Sequence, residues 1–288
     1  MSAKTPVKFT TCYICQSILI EVSNKPTICK KIECKQKIEN MIISDYVVRK
    51  ITANPQMYKL MLDLAKCAVD SPRKNFIMVP FPTSFIDKGE RDFDRVQICC
   101  QKLLNMWPNV FNKLIKNDQE LAKEIGEENY RFLKFIVMSC LFDLEEIFRE
   151  SDIKIYKINK KDDEFAERKK SHQSKLLYHG SYSENYFSIL RNGLKNCSKS
   201  KLMIHGNAHG NGIYLTSDLE QSLTYIKGPP FIILIAEALF DNQEFAKINL
   251  SKKVYVIEDD KTVIIRYLIV GDSILNIKMI SHICNTLI

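Results

Sequence analysis

Leu176-Leu177-Tyr178-His179-Gly180-Ser181 and, after an intervening helical stretch, Gly206-Asn207-Ala208-His209-Gly210-Asn211-Gly212-Ile213-Tyr214-Leu215-Thr216 are the two segments on which the reading of this chain turns. The first is a short apolar run that ends in a histidine, a glycine and a hydroxyl, the pattern of a strand delivering polar groups to a sheet edge. Gly180 lets a ligand come close to the backbone, and Ser181 can donate or accept a hydrogen bond. The second is dense in glycine and runs into a strand bearing Tyr214. Its glycines precede a strand, whereas the dinucleotide fingerprint needs strand, tight turn and helix in that order, so it is no phosphate-binding signature by itself. Between the two, Ser183 to Asn192 reads as a helix closed by Gly193.

Downstream, Phe231 to Leu239, Val254 to Ile257 and Thr262 to Val270 join Leu176 to Tyr178 and Gly212 to Thr216 as β-type runs bounded by Gly, Pro, Asn or Asp. Several strands with few helices between them predict an α+β domain with a mixed or antiparallel sheet, not a doubly wound parallel one. Upstream, Asn54-Pro55 starts a helix with Met57, Leu60, Met61, Leu64 and Cys67 on one face, which ends before Pro72. Phe76 to Pro82, with two prolines, predicts an extended connector. Phe93, Val96, Ile98, Cys100, Leu103 and Leu104 predict a second helix closed by Trp107 and Pro108, and Glu127 to Glu150 a third. The charged stretch Asn159 to Lys175 predicts a solvated linker or exposed helix. The expected division is a Cys-rich module over 1–44, an all-α domain over 45–156, a linker over 157–175 and an α+β domain over 176–288.

The 288 residues suffice for about two domains. No stretch reaches the ~18 uninterrupted apolar residues of a membrane helix and Met1 to Phe9 lacks the core of a secretory signal, which predicts a soluble chain with no membrane anchor. The net charge of +8 fits an acidic ligand and leaves nucleic acid as a further candidate partner. Ten cysteines without a secretory signal predict a reducing compartment, cytoplasmic or nuclear. Cys12-x2-Cys15 and Cys29-x4-Cys34 have the paired spacing of a structural zinc site of four thiolates. Cys67, Cys99, Cys100 and Cys140 fall on apolar helical faces and read as buried thiols. His205 and His209 flank glycines in the loop before Tyr214, where the spacing His-x3-His invites a metal reading.

Taken in order and spacing, Tyr178-His179-Gly180-Ser181, Glu184-Asn185, Ser188 to Leu194, Leu202 to Gly206, Gly210 to Leu215, Ser222 and Tyr225 resemble the catalytic domain of the poly(ADP-ribose) polymerase family, in its branch of small mono-ADP-ribosylating members. The resemblance runs from about Leu176 to Ile269. It implies an ADP-ribosyltransferase-type fold, NAD as substrate and a protein acceptor, this chain included. His179 then matches a histidine that binds a ribose hydroxyl, Gly180 the residue whose backbone holds the nicotinamide carboxamide, and Ser181 and Ser222 polar partners near that amide. Tyr214 and Tyr225 match the aromatics that sandwich the nicotinamide ring; Thr216 is placed in the same pocket, and His179 and Tyr214 are the implied catalytic residues. For His205 the resemblance implies a loop-shaping or NAD-contacting role instead of metal binding. Helical regions precede the catalytic domain in many members, where they pack against the NAD site and restrict access.

The chain departs from the family pattern at one position. Polymer-forming members carry a glutamate twelve residues before a basic-aromatic pair that matches Arg266-Tyr267, and counting back reaches Val254. The resemblance therefore implies transfer of a single ADP-ribose. Glu258 lies four positions later, and Glu237 matches an acidic residue taken as structural. The alternative is a binding module whose NAD-type pocket no longer turns over.

Overall fold

The computed structural model describes residues 10–11, 18–19, 45–110, 115–160, 162–198, 210–240, 246–249, 253–279 and 281–287. The chain divides into two compact units, Met1–Tyr46 and Val47–Ile288. In the first, Thr10–Thr11 pairs antiparallel with Ile18–Leu19. Cys12, Cys15, Cys29 and Cys34 lie outside the described residues, as do His205 and His209.

The second unit opens with helices α1 (Tyr46–Ala53) and α2 (Pro55–Asp70). The buried Asp118 carboxylate accepts from the Val47 and Val48 amides at 3.1 and 2.9 Å, satisfying donors that a helix start leaves open. Asn54 caps α2 as expected, its Oδ1 accepting from the Met57 amide, a bond of the kind that contributes about 1 kcal/mol. A one-turn helix, α3 (Lys74–Ile77), begins the stretch expected to be wholly extended. Helix α4 (Phe93–Val110) runs past Pro108 for a last turn, and Ile98, expected on its apolar face, is half exposed. Then follow α5 (Asp118–Ile125) and α6 (Glu127–Ser139). The core of this region is built from Met57, Met61 and Leu64 of α2, Val96, Cys99, Cys100 and Leu103 of α4, and Leu133, Ile136 and Val137 of α6. Cys67 and Cys140 are only partly buried.

The third expected helix is corrected: it stops at Ser139, and Asp143–Glu150 is a strand, β1. It pairs with β2 (Ile153–Asn159), so the helical stretch expected to reach residue 156 gives way to sheet at Asp143. The charged segment expected as a linker over 157–175 is likewise part of the fold. It holds the end of β2, helix α7 (Asp163–Lys169) and the start of β3 (Gln173–Gly180), and α7 drops Phe165 into a cluster with Leu239 and Ile264.

After α8 (Ser183–Asn192) come β4 (Ile213–Thr216), α9 (Leu219–Leu223), β5 (Phe231–Phe240), β6 (Ala246–Asn249), β7 (Val254–Ile257) and β8 (Val263–Gly271), then α10 (Ile274–Met279) and α11 (Ser281–Leu287). The strands form one sheet in the order β6-β7-β4-β3-β5-β8-β2-β1, with every neighbour antiparallel. This is the expected α+β class. Central β5 is buried from Ile232 to Leu239, as a strand covered on both faces must be. Tyr178, Ile233, Ile235 and Ile269 pack with Leu219, Leu223 and Ile277 on one side of the sheet.

The helices preceding the sheet belong to the same compact unit as the sheet. Helix α2 packs against α8, the Asn54 cap also donates to the Leu144 carbonyl of β1 at 2.6 Å, and the Cys67 thiol reaches the Pro229 carbonyl at 3.5 Å. No helix among the described residues is long and apolar enough to cross a membrane.

Candidate active site

Strands β3 and β4 meet at one residue pair, Tyr178 with Thr216. Beyond it, His179 spans the two strands with its side chain: Nδ1 lies 3.0 Å from the Tyr214 carbonyl oxygen. A carbonyl can only accept, so Nδ1 carries the proton and Nε2 is left as the acceptor of a neutral ring. Burial pushes the His179 pKa below the ordinary histidine range, opposed by the bond to the Tyr214 carbonyl. The imidazole is thus held neutral at neutral pH with its acceptor nitrogen fixed.

Gly180, next along β3, sits against α9. A Cβ at this position would stand 2.1 Å from the Ser222 carbonyl oxygen, so no other residue fits without moving backbone. Ser222 itself is 1 % exposed, and its hydroxyl has no hydrogen-bond partner among the described residues. A buried hydroxyl left unpaired costs stability, roughly 1–3 kcal/mol, which points to a ligand group that completes it. The turn after Gly180 is fixed by the buried Tyr186 of α8, whose hydroxyl accepts from the Ser181 amide at 3.0 Å and donates to the Ile232 carbonyl at 2.7 Å. The Ser181 hydroxyl accepts from Asn185 Nδ2 at 2.9 Å. The sequence reading does not single out Tyr186, since nothing local marks a tyrosine within a helix as the partner of a distant backbone amide and carbonyl.

A cavity of about 790 Å³ opens here, and His179, Gly180, Ser181, Tyr214, Thr216, Ser222 and Tyr225 all line it. Tyr214 is oriented by a 2.7 Å bond from its hydroxyl to the Gly210 carbonyl, while Tyr225, just past α9, is 44 % exposed. Thr216 is at the wall, but its hydroxyl serves the turn into α9: it accepts from the Asp218 amide and lies 2.7 Å from Gln221 Oε1 and 2.9 Å from the Lys253 carbonyl. The volume lies within the ~300–1,000 Å³ range of small-molecule sites.

Val254 also lines the cavity, on β7 beside β4, in register with Thr216. Among the described residues the lining holds two cations, Arg73 and Lys195, and no aspartate or glutamate. Glu258 is exposed at the end of β7 and lies off the wall. Glu237 is 6 % exposed, is not among the residues lining the cavity and is held by Arg266 at 2.8 Å and by Lys169.

One wall comes from a part of the chain that the sequence did not mark. Arg73, Asn75, Phe76, Ile77 and Val79, in and around α3, line the cavity beside α8. They are pinned to α8 by Arg73 on Glu184 (2.8 Å) and Asn185 (3.1 Å), by Asn192 on the Val79 carbonyl (2.8 Å) and by Arg191 on the Pro80 carbonyl (2.9 Å). The buried Arg191 guanidinium also stacks between Phe187 and Phe135, at 4.4 and 4.8 Å from the ring centroids.

Comparison with known proteins bears on this geometry. Residues 143–244 match the model of the poly(ADP-ribose) polymerase catalytic domain. Over 239 residues the chain is 24% identical to protein mono-ADP-ribosyltransferase PARP8 of Mus musculus, a match covering 74% of this chain and 28% of that protein. The Homo sapiens PARP8 protein is matched at 24% identity over 74% of this chain and 27% of its own length. Protein mono-ADP-ribosyltransferase PARP16 of Homo sapiens is 25% identical over 189 residues, 58% of this chain and 53% of that protein. The chain thus spans 27% to 53% of the lengths of these relatives. The matched segment begins on β1, where the sheet begins, and takes in His179, Gly180, Ser222 and both tyrosines of the cavity; over residues 143–244 the chain is similar to the catalytic domain of poly(ADP-ribose) polymerases.

Proposed function

We propose that this cavity binds NAD and that the chain transfers single ADP-ribose units from it to a protein, this chain included. The observation that carries the reading is the convergence on one cavity of a neutral, fixed histidine, a glycine cradle beside a buried unpaired hydroxyl, and two tyrosines. A carboxamide suits the Gly180 and Ser222 end, since it offers both a donor and an acceptor. Large flat faces such as Tyr214 and Tyr225 suit a nicotinamide ring, and the Nε2 acceptor of His179 suits a ribose hydroxyl.

In the proposed reaction the bond between nicotinamide nitrogen and ribose C1′ breaks, its electron pair leaving with nicotinamide. An acceptor nucleophile then forms a bond to C1′ and releases its proton. The ribose passes through an oxocarbenium-like state, as in glycoside cleavage. The protein's part is orientation, with binding energy at the rest of the dinucleotide offsetting distortion at C1′. Val254 at the wall supplies no carboxylate to order the ribose or to activate an ADP-ribose hydroxyl as the next acceptor, which supports a product of one unit.

Incubation of the purified chain with NAD labelled in the adenosine half tests this. The expected result is label on protein, nicotinamide released in step with it, and one ADP-ribose per modified site by mass spectrometry. Neither label transfer nor nicotinamide release would leave a pocket that binds without turnover. The four N-terminal cysteines retain, from sequence alone, their reading as a zinc site; metal analysis well below one zinc per chain removes it.

A further inference from the structure

The cavity is wider than the nicotinamide clamp needs. It extends along α8 from Gly180 and Ser181 to Gly193, Leu194, Lys195 and Cys197, a helix of ten residues and therefore about 15 Å long. Along that length the segment from Arg73 to Val79, which the chain contributes 64 residues before the family match begins, packs on α8 and lines the cavity with it. Both cations of the lining lie along this stretch, Arg73 bonded to the first turn of α8 and Lys195 just beyond the end of that helix. Burial raises the Cys197 pKa, with the positive charges of Arg73 and Lys195 opposing it and the Asp260 carboxylate adding to it.

Arg73 is positioned before any ligand arrives. Its Nη1 donates to Glu184 and Asn185, its side chain is four-fifths buried, and Asn185 passes the connection on to the Ser181 hydroxyl. A guanidinium held this way presents a planar fork, the geometry that matches phosphate oxygens, and it has lost its side-chain freedom already. Lys195, ion-paired with Asp260 at 2.9 Å, is more than half exposed and acts as a point charge. The lining thus holds two cations, each paired with a carboxylate that stands outside it, Glu184 and Asp260, and among its described residues no aspartate or glutamate, a composition that suits an anionic ligand.

We propose that Arg73, from the helical region, is a binding residue for the pyrophosphate of the dinucleotide, so that this region completes the site. The proposal rests on the NAD reading above. It makes the 73–79 segment the part of the chain that discriminates a diphosphate-bearing ligand from nicotinamide alone.

Equilibrium binding of nicotinamide, ADP-ribose and NAD to the full chain, and to Arg73→Gln and Arg73→Lys, tests it, with melting temperatures taken alongside. Arg73→Gln is expected to weaken ADP-ribose and NAD by about 10- to 100-fold while nicotinamide binds as before, since a charge-assisted pair to phosphate is lost. Arg73→Lys keeps the charge opposite Glu184, folds, and weakens ADP-ribose by a smaller factor, because the fork is gone. In the unmutated chain ADP is expected to bind at least 10-fold more tightly than adenosine. Equal binding of ADP-ribose by all three proteins overturns the proposal, as does equal binding of ADP and adenosine, or a parallel loss of nicotinamide and ADP-ribose in the variants, which would mark Arg73 as a residue that merely shapes the pocket. If the unmutated chain binds none of the three ligands, the NAD reading itself fails and this inference goes with it.

Discussion

Gly180→Ala separates the close approach of β3 to α9 from every other effect of a glycine. The new Cβ would stand 2.1 Å from the Ser222 carbonyl oxygen and 3.0 Å from its carbon, where ordinary contact begins at 3.4 Å. Both atoms are backbone, so β3 or α9 must move by more than about 1 Å, a strain of the kind that costs ~1–3 kcal/mol in a packed interior. Nothing opposes the substitution in the chain's own conformation: the φ of Gly180 lies outside the left-handed region. On backbone entropy alone, alanine would instead stabilise by about 0.4–1 kcal/mol. The sign of the measured change therefore identifies the contact as the cause.

For a unit of this size a loss of ~1–3 kcal/mol corresponds to a fall of roughly 2–12 °C in melting temperature. Since α9 carries Ser222 and leads into Tyr225, the same displacement widens the carboxamide end of the cavity, and nicotinamide affinity is expected to fall by more than ~10-fold. Thermal melting and titration with nicotinamide measure both. Gly193→Ala is the control: its φ of +83° makes alanine strained, but nothing lies within 4 Å, so it should cost about 1 kcal/mol and leave the ligand end intact. A Gly180→Ala chain that melts at or above the parent temperature and binds nicotinamide normally would refute the cradle.

Ser222→Ala removes a buried hydroxyl that has no partner among the described residues, so stability should hold or rise slightly while nicotinamide binding weakens about 10-fold; a loss of stability with binding unchanged would show the hydroxyl to be structural. The depressed His179 pKa means that the unfolded chain takes up this proton first, so its contribution to stability is present above the unfolded pKa of about 6.5 and declines as pH falls through the folded value. Melting temperature between pH 8 and pH 5 should show this decline, and His179→Gln should flatten it. Glu237→Gln leaves Arg266 and Lys169 without their shared carboxylate and is expected to lower stability by ~1–3 kcal/mol, discounted for the partial exposure of both cations, with ligand affinity retained in chemical denaturation and binding assays. Glu258→Gln should change neither stability nor ADP-ribose transfer, and abolished transfer would show that a carboxylate beyond Val254 takes part.

What could be read from the sequence divides along the distance over which each constraint acts. The strand expected over Leu176 to Tyr178, which extends in the structure to Gln173–Gly180, the helix Ser183–Asn192 with its Gly193 cap and the start of α2 at Asn54 all rest on local rules. Strand β1 defeated the local rule because Leu133, Ile136, Val137, Cys140, Leu141, Leu144 and Ile147 keep a helical spacing across its start. A bulge between Glu146 and Phe148 then breaks the alternation that would have betrayed a strand. Helix α7 was hidden by charge, since only Phe165 of its seven residues is buried. The Arg73 to Val79 wall was out of reach altogether, because Arg73 meets Glu184 across 111 positions of sequence.

Val254 is the instructive intermediate case, a long-range position that could be counted. Side chains on a strand alternate, so a slip of one residue in β7 would turn Val254 from the cavity and present Lys253 or Tyr255 in its place. The structure shows what prevents the slip. Tyr255, on the opposite face, receives a 2.9 Å bond from Lys175 of β3 and meets the Phe240 ring of β5 edge-on at 5.7 Å, while Val256 packs where Gly212 has no Cβ. A tyrosine anchored to two other strands fixes the register of β7, and the register fixes an aliphatic side chain on the cavity wall. The proposed limit to one ADP-ribose thus rests on packing behind the sheet as much as on the residue in front of it: Tyr255→Ala should loosen that register and perturb ligand binding although Tyr255 itself lies outside the lining.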